Sequence, residues 1–203
     1  MSIERPKIEA KIAEILQDTP KGSILFVADF LDSGSPDSIK KALYRLTNEK
    51  NLLIRLAHGV YLYPKTDKEL GTLYPSTEEI AKAIARRDKA RIIPTGVYAL
   101  NRLGLSTQVP MKIVYLTDGA TRSIKIGKRT ISFKRTSPRN LMTIGKISTL
   151  AIQALKEIGQ ENVDDEILKQ LKVVLKKETQ ENILHDAKLA PAWINKILKQ
   201  SLK

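Results

Sequence analysis

Ser35-Pro36-Asp37-Ser38-Ile39-Lys40-Lys41-Ala42-Leu43-Tyr44-Arg45-Leu46-Thr47-Asn48-Glu49 is the stretch whose reading decides the fold of the first third of this 203-residue chain. Ser35 can cap free amides, and Pro36 has no amide to satisfy, so the pair predicts a helix that starts at Pro36 and runs to about Glu49. Ile39, Ala42, Leu43 and Leu46 then share one face and form a core stripe. Asp37, Lys40, Lys41, Tyr44, Arg45 and Asn48 lie opposite. A helix with such an outer face fits the major groove of B-DNA, where polar side chains reach base edges and phosphates.

Upstream, Ile8, Ile12, Ile15 and Leu16 recur at helical spacing and predict a buried stripe on a helix from about Ile3 to Gln17, ended by Pro20 and Gly22. Ser23 to Phe26 reads as a short strand. A brief helix over Val27 to Leu31 is expected to carry Phe30 and Leu31 inward. Downstream, Leu52 to Leu56 and Val60 to Tyr63 read as two strands joined by Ala57-His58-Gly59, with Gly59 at positive φ. This order predicts a winged helix-turn-helix DNA-binding domain over residues 1–70. Its candidate DNA contacts are Ser35, Ser38, Lys40, Lys41, Tyr44 and Arg45 on the helix, and Arg55 and His58 on the wing. Any amphipathic helix also turns polar residues outward, and the same fold serves elsewhere as a protein-interaction module.

Pro64 to Pro75 is polar and reads as an interdomain linker. A second domain is expected over 76–203. It opens on the capping box Ser76-Thr77-Glu78-Glu79, with a helix to about Lys89. A short helix around Val97 to Leu103, a strand over Met111 to Leu116, and a hairpin of Arg122 to Ile126 with Arg129 to Arg135, closed at Gly127-Lys128, complete a mixed α/β segment to about 142. From 143 the pattern is helical. Ile144, Ile147, Ala151, Ala154, Leu155 and Ile158 form one stripe, and Asn162 is expected to cap the next helix, which carries Ile167, Leu168, Leu171 and Leu175. A third helix spans about Gln180 to Leu189, and a fourth starts at Pro191 with Trp193, Ile194, Ile197 and Leu198 inward. The expected fold class is therefore α+β: a winged helix, then a mixed α/β segment, then a C-terminal helical bundle.

Charge adds a partner class. The chain carries 35 basic and 22 acidic side chains, a net charge of +13. Residues 1–75 hold 11 basic and 10 acidic groups, whereas residues 82–146 hold 15 and 2. Such an excess points to a polyanion, with nucleic acid first. Arg122, Lys125, Lys128, Arg129, Lys134, Arg135 and Arg139 are candidate phosphate contacts, although a hairpin projects them to both faces; a solvated sheet edge or a dock for an acidic protein uses the same residues.

Several classes are excluded. Cysteine is absent, which removes disulfides, thiolate catalysis and thiolate metal sites. No apolar run approaches the roughly 18 residues of a membrane helix, and Met1 to Lys11 has no signal-peptide core, so a cytoplasmic location is expected. His58 and His185 have no carboxylate at ligand spacing, so no metal is expected. Gly145-Lys146-Ile147-Ser148 lacks the upstream glycine of a phosphate loop. Gly34-Ser35 followed by Asp37 hints at a nucleotidyltransferase start, but no carboxylate pair follows. Asp164, Asp165 and Glu166 sit where a helix dipole accounts for them. No cofactor and no enzymatic activity are expected.

The stretch Ser35 to Leu43, the wing Arg55-Leu56-Ala57-His58-Gly59-Val60-Tyr61, then Thr95-Gly96 and Ala99-Leu100-Asn101-Arg102-Leu103-Gly104-Leu105 together resemble the AbiEi-type antitoxins, transcriptional regulators of type IV abortive-infection toxin–antitoxin systems. The resemblance covers most of residues 1–145 and weakens in the helical tail. It implies that the winged helix binds the protein's own operator in double-stranded DNA, and that the C-terminal domain counteracts a cognate nucleotidyltransferase-type toxin. In a type IV pair the two proteins need not form a stable complex, and no antitoxicity residue carries over. The alternatives are a winged-helix transcription factor with no antitoxin role, a scaffold or interaction module, and a nucleic-acid-processing enzyme; the last requires a convergent carboxylate or histidine cluster.

Overall fold

The computed structural model describes residues 8–202. It is a mixed α+β structure that divides into two compact units, Met1–Ala83 and Ile84–Lys203. Among the described residues no helix is long and apolar enough to cross a membrane.

In the first unit, helix α1 (Ile8–Gln17) precedes strand β1 (Ile24–Phe26), a 3-10 segment (Val27–Ser33), helix α2 (Pro36–Asn48) and strands β2 (Ile54–Ala57) and β3 (Val60–Leu62). The predicted start of the first helix at Ile3 lies outside the described residues. The sheet runs β1-β3-β2, all antiparallel. Its central strand is buried at every position, Val60, Tyr61 and Leu62. Ile39, Ala42, Leu43 and Leu46 of α2 are all buried, as the helical period requires, and pack with Ile12, Leu16, Leu25, Phe30, Leu53 and Tyr61. Two expected core residues are not in that core. Ile15 is 40% exposed and Leu31 52% exposed. The α1 stripe narrows to Ile12 and Leu16, with Ile15 on its flank. The 3-10 winding, with its tighter turn, brings Phe30 inward and Leu31 out.

The stretch read as a linker is partly ordered as a hairpin, β4 (Lys65–Asp67) with β5 (Gly71–Leu73). The Asp67 carboxylate accepts from the amides of Glu69 and Leu70 and shapes its turn, a device that polar turn residues supply without any apolar periodicity. Helix α3 (Thr77–Arg87) follows, with the expected reciprocal cap: Ser76 N–H donates to Glu79 at 2.7 Å, and Glu79 N–H to Ser76 Oγ at 3.2 Å.

The second unit holds a four-stranded sheet of β6 (Ile92–Thr95), β7 (Lys112–Thr117), β8 (Arg122–Ile126) and β9 (Arg129–Arg135), in the order β6-β7-β9-β8. β7 and β9 are parallel and the other pairs antiparallel. Helix α4 (Val97–Arg102) follows β6. Helices α5 (Lys146–Ile158), α6 (Asp165–Leu175), α7 (Gln180–Leu189) and α8 (Ala192–Gln200) close the chain around Ala151, Ile152, Leu155, Leu171, Leu175, Ile183, Ile194 and Leu198. The second of these is capped by Asp164, which accepts from Ile167 N–H at 2.8 Å, and not by Asn162, which ends a preceding 3-10 turn. Ile144 is outside the stripe because the chain ahead of α5 is irregular; it is 56% exposed.

Candidate nucleic-acid interface

The exposed face of α2 is organised from its first turn. Ser35 caps the helix: its Oγ accepts from Ser38 N–H at 3.4 Å and donates to Ser38 Oγ at 2.9 Å, so the two predicted hydroxyls are joined. Lys40 reaches back to Asp37 at 3.1 Å in an exposed pair of the kind that contributes little and exchanges readily for another anion. Tyr44 is exposed. Arg45 Nε donates to Glu9 Oε2 at 2.8 Å, and Lys50 Nζ lies 3.2 Å from Glu9 Oε1. Lys50, and then Arg45, hold the Glu9 carboxyl below the usual carboxylate range against the opposing effect of burial. Two surface depressions flank Arg45. One is lined by Ile8, Glu9, Ser38, Lys41 and Arg45, the other by Lys40, Lys41, Tyr44, Arg45 and Glu49.

In the β2–β3 hairpin, Arg55 Nη2 lies 3.1 Å from His58 Nδ1, within hydrogen-bond distance. Gly59 stands beside it at φ +69°. The strands slip register between Arg55 and Ala57, so Leu56 is the extra residue of a bulge at the base of the turn. The structure thus brings Ser35, Ser38, Lys40, Lys41, Tyr44 and Arg45 together on one helix and joins Arg55 to His58 on the hairpin.

The basic cluster of the second unit is divided by the sheet's alternation. Arg122 pairs with Phe133 across the strands, so Arg122, Arg129 and Arg135 share one face with Ile131 and Phe133. Lys125 and Lys134 belong to the other face, and Lys128 sits in the turn. Arg122 is committed within the fold: its guanidinium lies 5.4 Å above the Phe133 ring and bonds the Asp88 carboxylate. Burial, and then the Arg87 charge, push its pKa down. The two acidic residues within 82–146 are both neutralised by arginines, Asp88 by Arg87 and Arg122 and Asp118 by Arg91 at 2.9 Å. Arg139 Nη2 donates to the carbonyl of Lys188. By unit, the charge separates fully. The first unit carries 12 basic and 12 acidic side chains, and the second 23 and 10.

Sequence reasoning missed two groups. Glu9 lies 36 positions from Arg45, and no local spacing links them. Asp186 is fully buried and accepts from Ile144 N–H (2.9 Å), Gly145 N–H (3.0 Å) and Ser148 Oγ (2.5 Å), and bonds His185 Nδ1 (2.9 Å). Glu178 accepts from Ile147 N–H at 2.8 Å. The amides at the start of α5 are therefore occupied by two carboxylates of the chain itself. Ser148 and His185 bind opposite oxygens of Asp186 and not one another, an arrangement that caps a helix. Among the described residues no group of three or more histidine or carboxylate side chains could hold a metal ion.

No curated protein matches the sequence. Among solved structures, the crystal structure of the RV2827C protein from Mycobacterium tuberculosis aligns over 96% of this chain and 82% of its own, with a TM-score of 0.45 and 14% identity. The model of DUF6088, a family of unknown function, matches residues 11–183, and the chain belongs to that family.

Proposed function

We propose that the first unit is a winged helix that reads double-stranded DNA, and that the protein is a non-enzymatic cytoplasmic autoregulator and antitoxin opposing a nucleotidyltransferase-type toxin. The observation that carries the DNA-binding part is the α2 surface. Lys40, Lys41, Tyr44 and Arg45 stand together on the exposed side of a helix whose opposite side is entirely buried, and a tight hairpin bearing Arg55 and His58 follows. The order α1, β1, 3-10 segment, α2, β2, β3 with the sheet β1-β3-β2 supports the winged-helix reading. The antitoxin part rests on the resemblance of Thr95-Gly96 and Ala99 to Leu105 to the AbiEi-type antitoxins. It requires no contact with the toxin.

Phosphate contacts position a protein on DNA, and base contacts select the sequence. Arg45 has the planar fork for guanine and is the proposed base reader; Lys40 and Lys41 serve the backbone. The test is a titration of wild type and Arg45→Ala against the promoter of the protein's own operon and against a scrambled duplex. Wild type prefers the promoter, and the variant loses about 1–3 kcal/mol there with a much smaller change on scrambled DNA. Absence of any promoter preference in wild type refutes the autoregulator function.

A further inference from the structure

We infer that Glu9 is a specificity-determining positioning residue of the α2 face, clamping Arg45 and Lys50 so that neither grips phosphate indiscriminately and Arg45 meets DNA as a fixed fork. The inference rests on the DNA-binding function proposed above. Glu9 comes from α1, its side chain only 13% exposed, while its two cations are 47% and 58% exposed. The carboxylate takes one cation on each oxygen, Arg45 Nε at 2.8 Å and Lys50 Nζ at 3.2 Å.

Three consequences follow from chemistry. A guanidinium held through Nε keeps its Nη1/Nη2 end for a second planar acceptor pair, which is the geometry of guanine O6 and N7. The rotamer freedom of a long arginine is already restricted before DNA arrives. A carboxylate between the two cations also lowers their joint attraction for phosphate, which is the sequence-independent part of binding. Glu9 thus acts in opposite directions on the two kinds of contact: it prepares base readout and weakens backbone grip, as a residue must if it raises discrimination by disfavouring the wrong partner. Arg45 lines both surface depressions of this face, together with Lys41.

The experiment uses the full-length protein, the promoter duplex and a scrambled duplex, each titrated at several salt concentrations. Glu9→Ala is expected to tighten binding to scrambled DNA and to reduce the promoter-to-scrambled affinity ratio by roughly tenfold, the value of about one good base contact. Its slope of log affinity against log salt on scrambled DNA steepens by up to roughly 0.9 for each cation released to phosphate. Glu9→Gln, which keeps one acceptor for Arg45, recovers part of the ratio. A wild-type ratio and slope in Glu9→Ala overturns the positioning role while leaving DNA binding intact. Equal weakening on both duplexes with a lowered unfolding midpoint makes Glu9 a tie between helices and overturns it as well. If wild type shows no promoter preference, the DNA-binding function falls together with the inference.

Discussion

Replacing Asp186 by alanine tests what holds the start of α5. The carboxylate is fully buried, and each of its oxygens accepts two bonds if His185 carries its proton on Nδ1. Two of the donors deprived of their acceptor, Gly145 N–H and Ser148 Oγ, are themselves buried. A buried donor left without a partner costs about 1–3 kcal/mol. Removing a buried charge also returns part of its own desolvation penalty. The two effects together leave an expected loss of about 2–4 kcal/mol. The single tryptophan of the chain, Trp193, packs against the helical core of the same unit, so its fluorescence reports this unit's unfolding and not that of the first unit. Urea titrations of wild type and Asp186→Ala, followed at Trp193, give the difference directly. A loss below about 0.5 kcal/mol, the size of an ordinary surface substitution, refutes the account of Asp186 as the anchor.

Gly59→Val forces a β-branched residue to φ +69° where no neighbouring atom would touch the new Cβ, so the cost is conformational and local to the hairpin; promoter affinity should drop while the unfolding free energy of the first unit falls by about 1–3 kcal/mol, and unchanged affinity shows that the hairpin is dispensable. Neutralising Lys128, Arg129 and Arg135 together should weaken promoter and scrambled DNA about equally and flatten the salt dependence by up to roughly 0.9 for each phosphate that no longer meets a cation; an unaltered slope assigns them to a solvated edge. For Glu178, burial pushes the carboxyl up, but the Asn182 amide and the N–H groups of Ile147, Thr179 and Ser148 outweigh it and hold its pKa below the ordinary value. A carboxyl with a depressed folded pKa contributes stability above its unfolded pKa and loses it as pH falls through the folded value. The Trp193-monitored stability gap between wild type and Glu178→Gln should therefore be full at pH 6 and shrink below about pH 4.3; a gap independent of pH contradicts this.

The elements most legible in the sequence are those whose determinants are local. The Ser35-Pro36 start, the buried quartet on α2, the Ser76/Glu79 cap and the Gly127-Lys128 turn each depend on residues within a turn or two of one another, and each stands where the pattern places it. β6 is not legible because Ile92 and Ile93 lie between Arg91 and Pro94, too short a run to display an alternation. The parallel pairing of β7 with β9 is a tertiary fact with no signature in either strand. The site divides the same way. The residues of the α2 face are visible from helical period alone, whereas the Glu9 clamp and the Asp186 anchor join positions dozens of residues apart. Arg122 illustrates the reverse error: composition counts it with the surface cations, and the structure commits it to Asp88 and Phe133.

The separation of charge between the units has a consequence for how DNA recognition would be divided. A first unit with 12 basic and 12 acidic side chains has no net attraction for a polyanion, and Glu9 lowers the local attraction of its α2 face further. Such a unit can discriminate, because base readout depends on the placement of a few donors, but it gains little from counterion release. The whole net charge of +13 belongs to the second unit, whose Asp88 and Asp118 are already taken by arginines. Under the proposed function, most of the affinity therefore resides in the second unit and the selectivity in the first. Most of the salt dependence of binding should follow substitutions in the second unit, with a smaller share from Lys40, Lys41 and the cations that Glu9 restrains, and the promoter-to-scrambled ratio should follow Arg45 and Glu9. A single surface that performed both tasks would mix the two readouts, because each cation added for grip would strengthen every sequence alike.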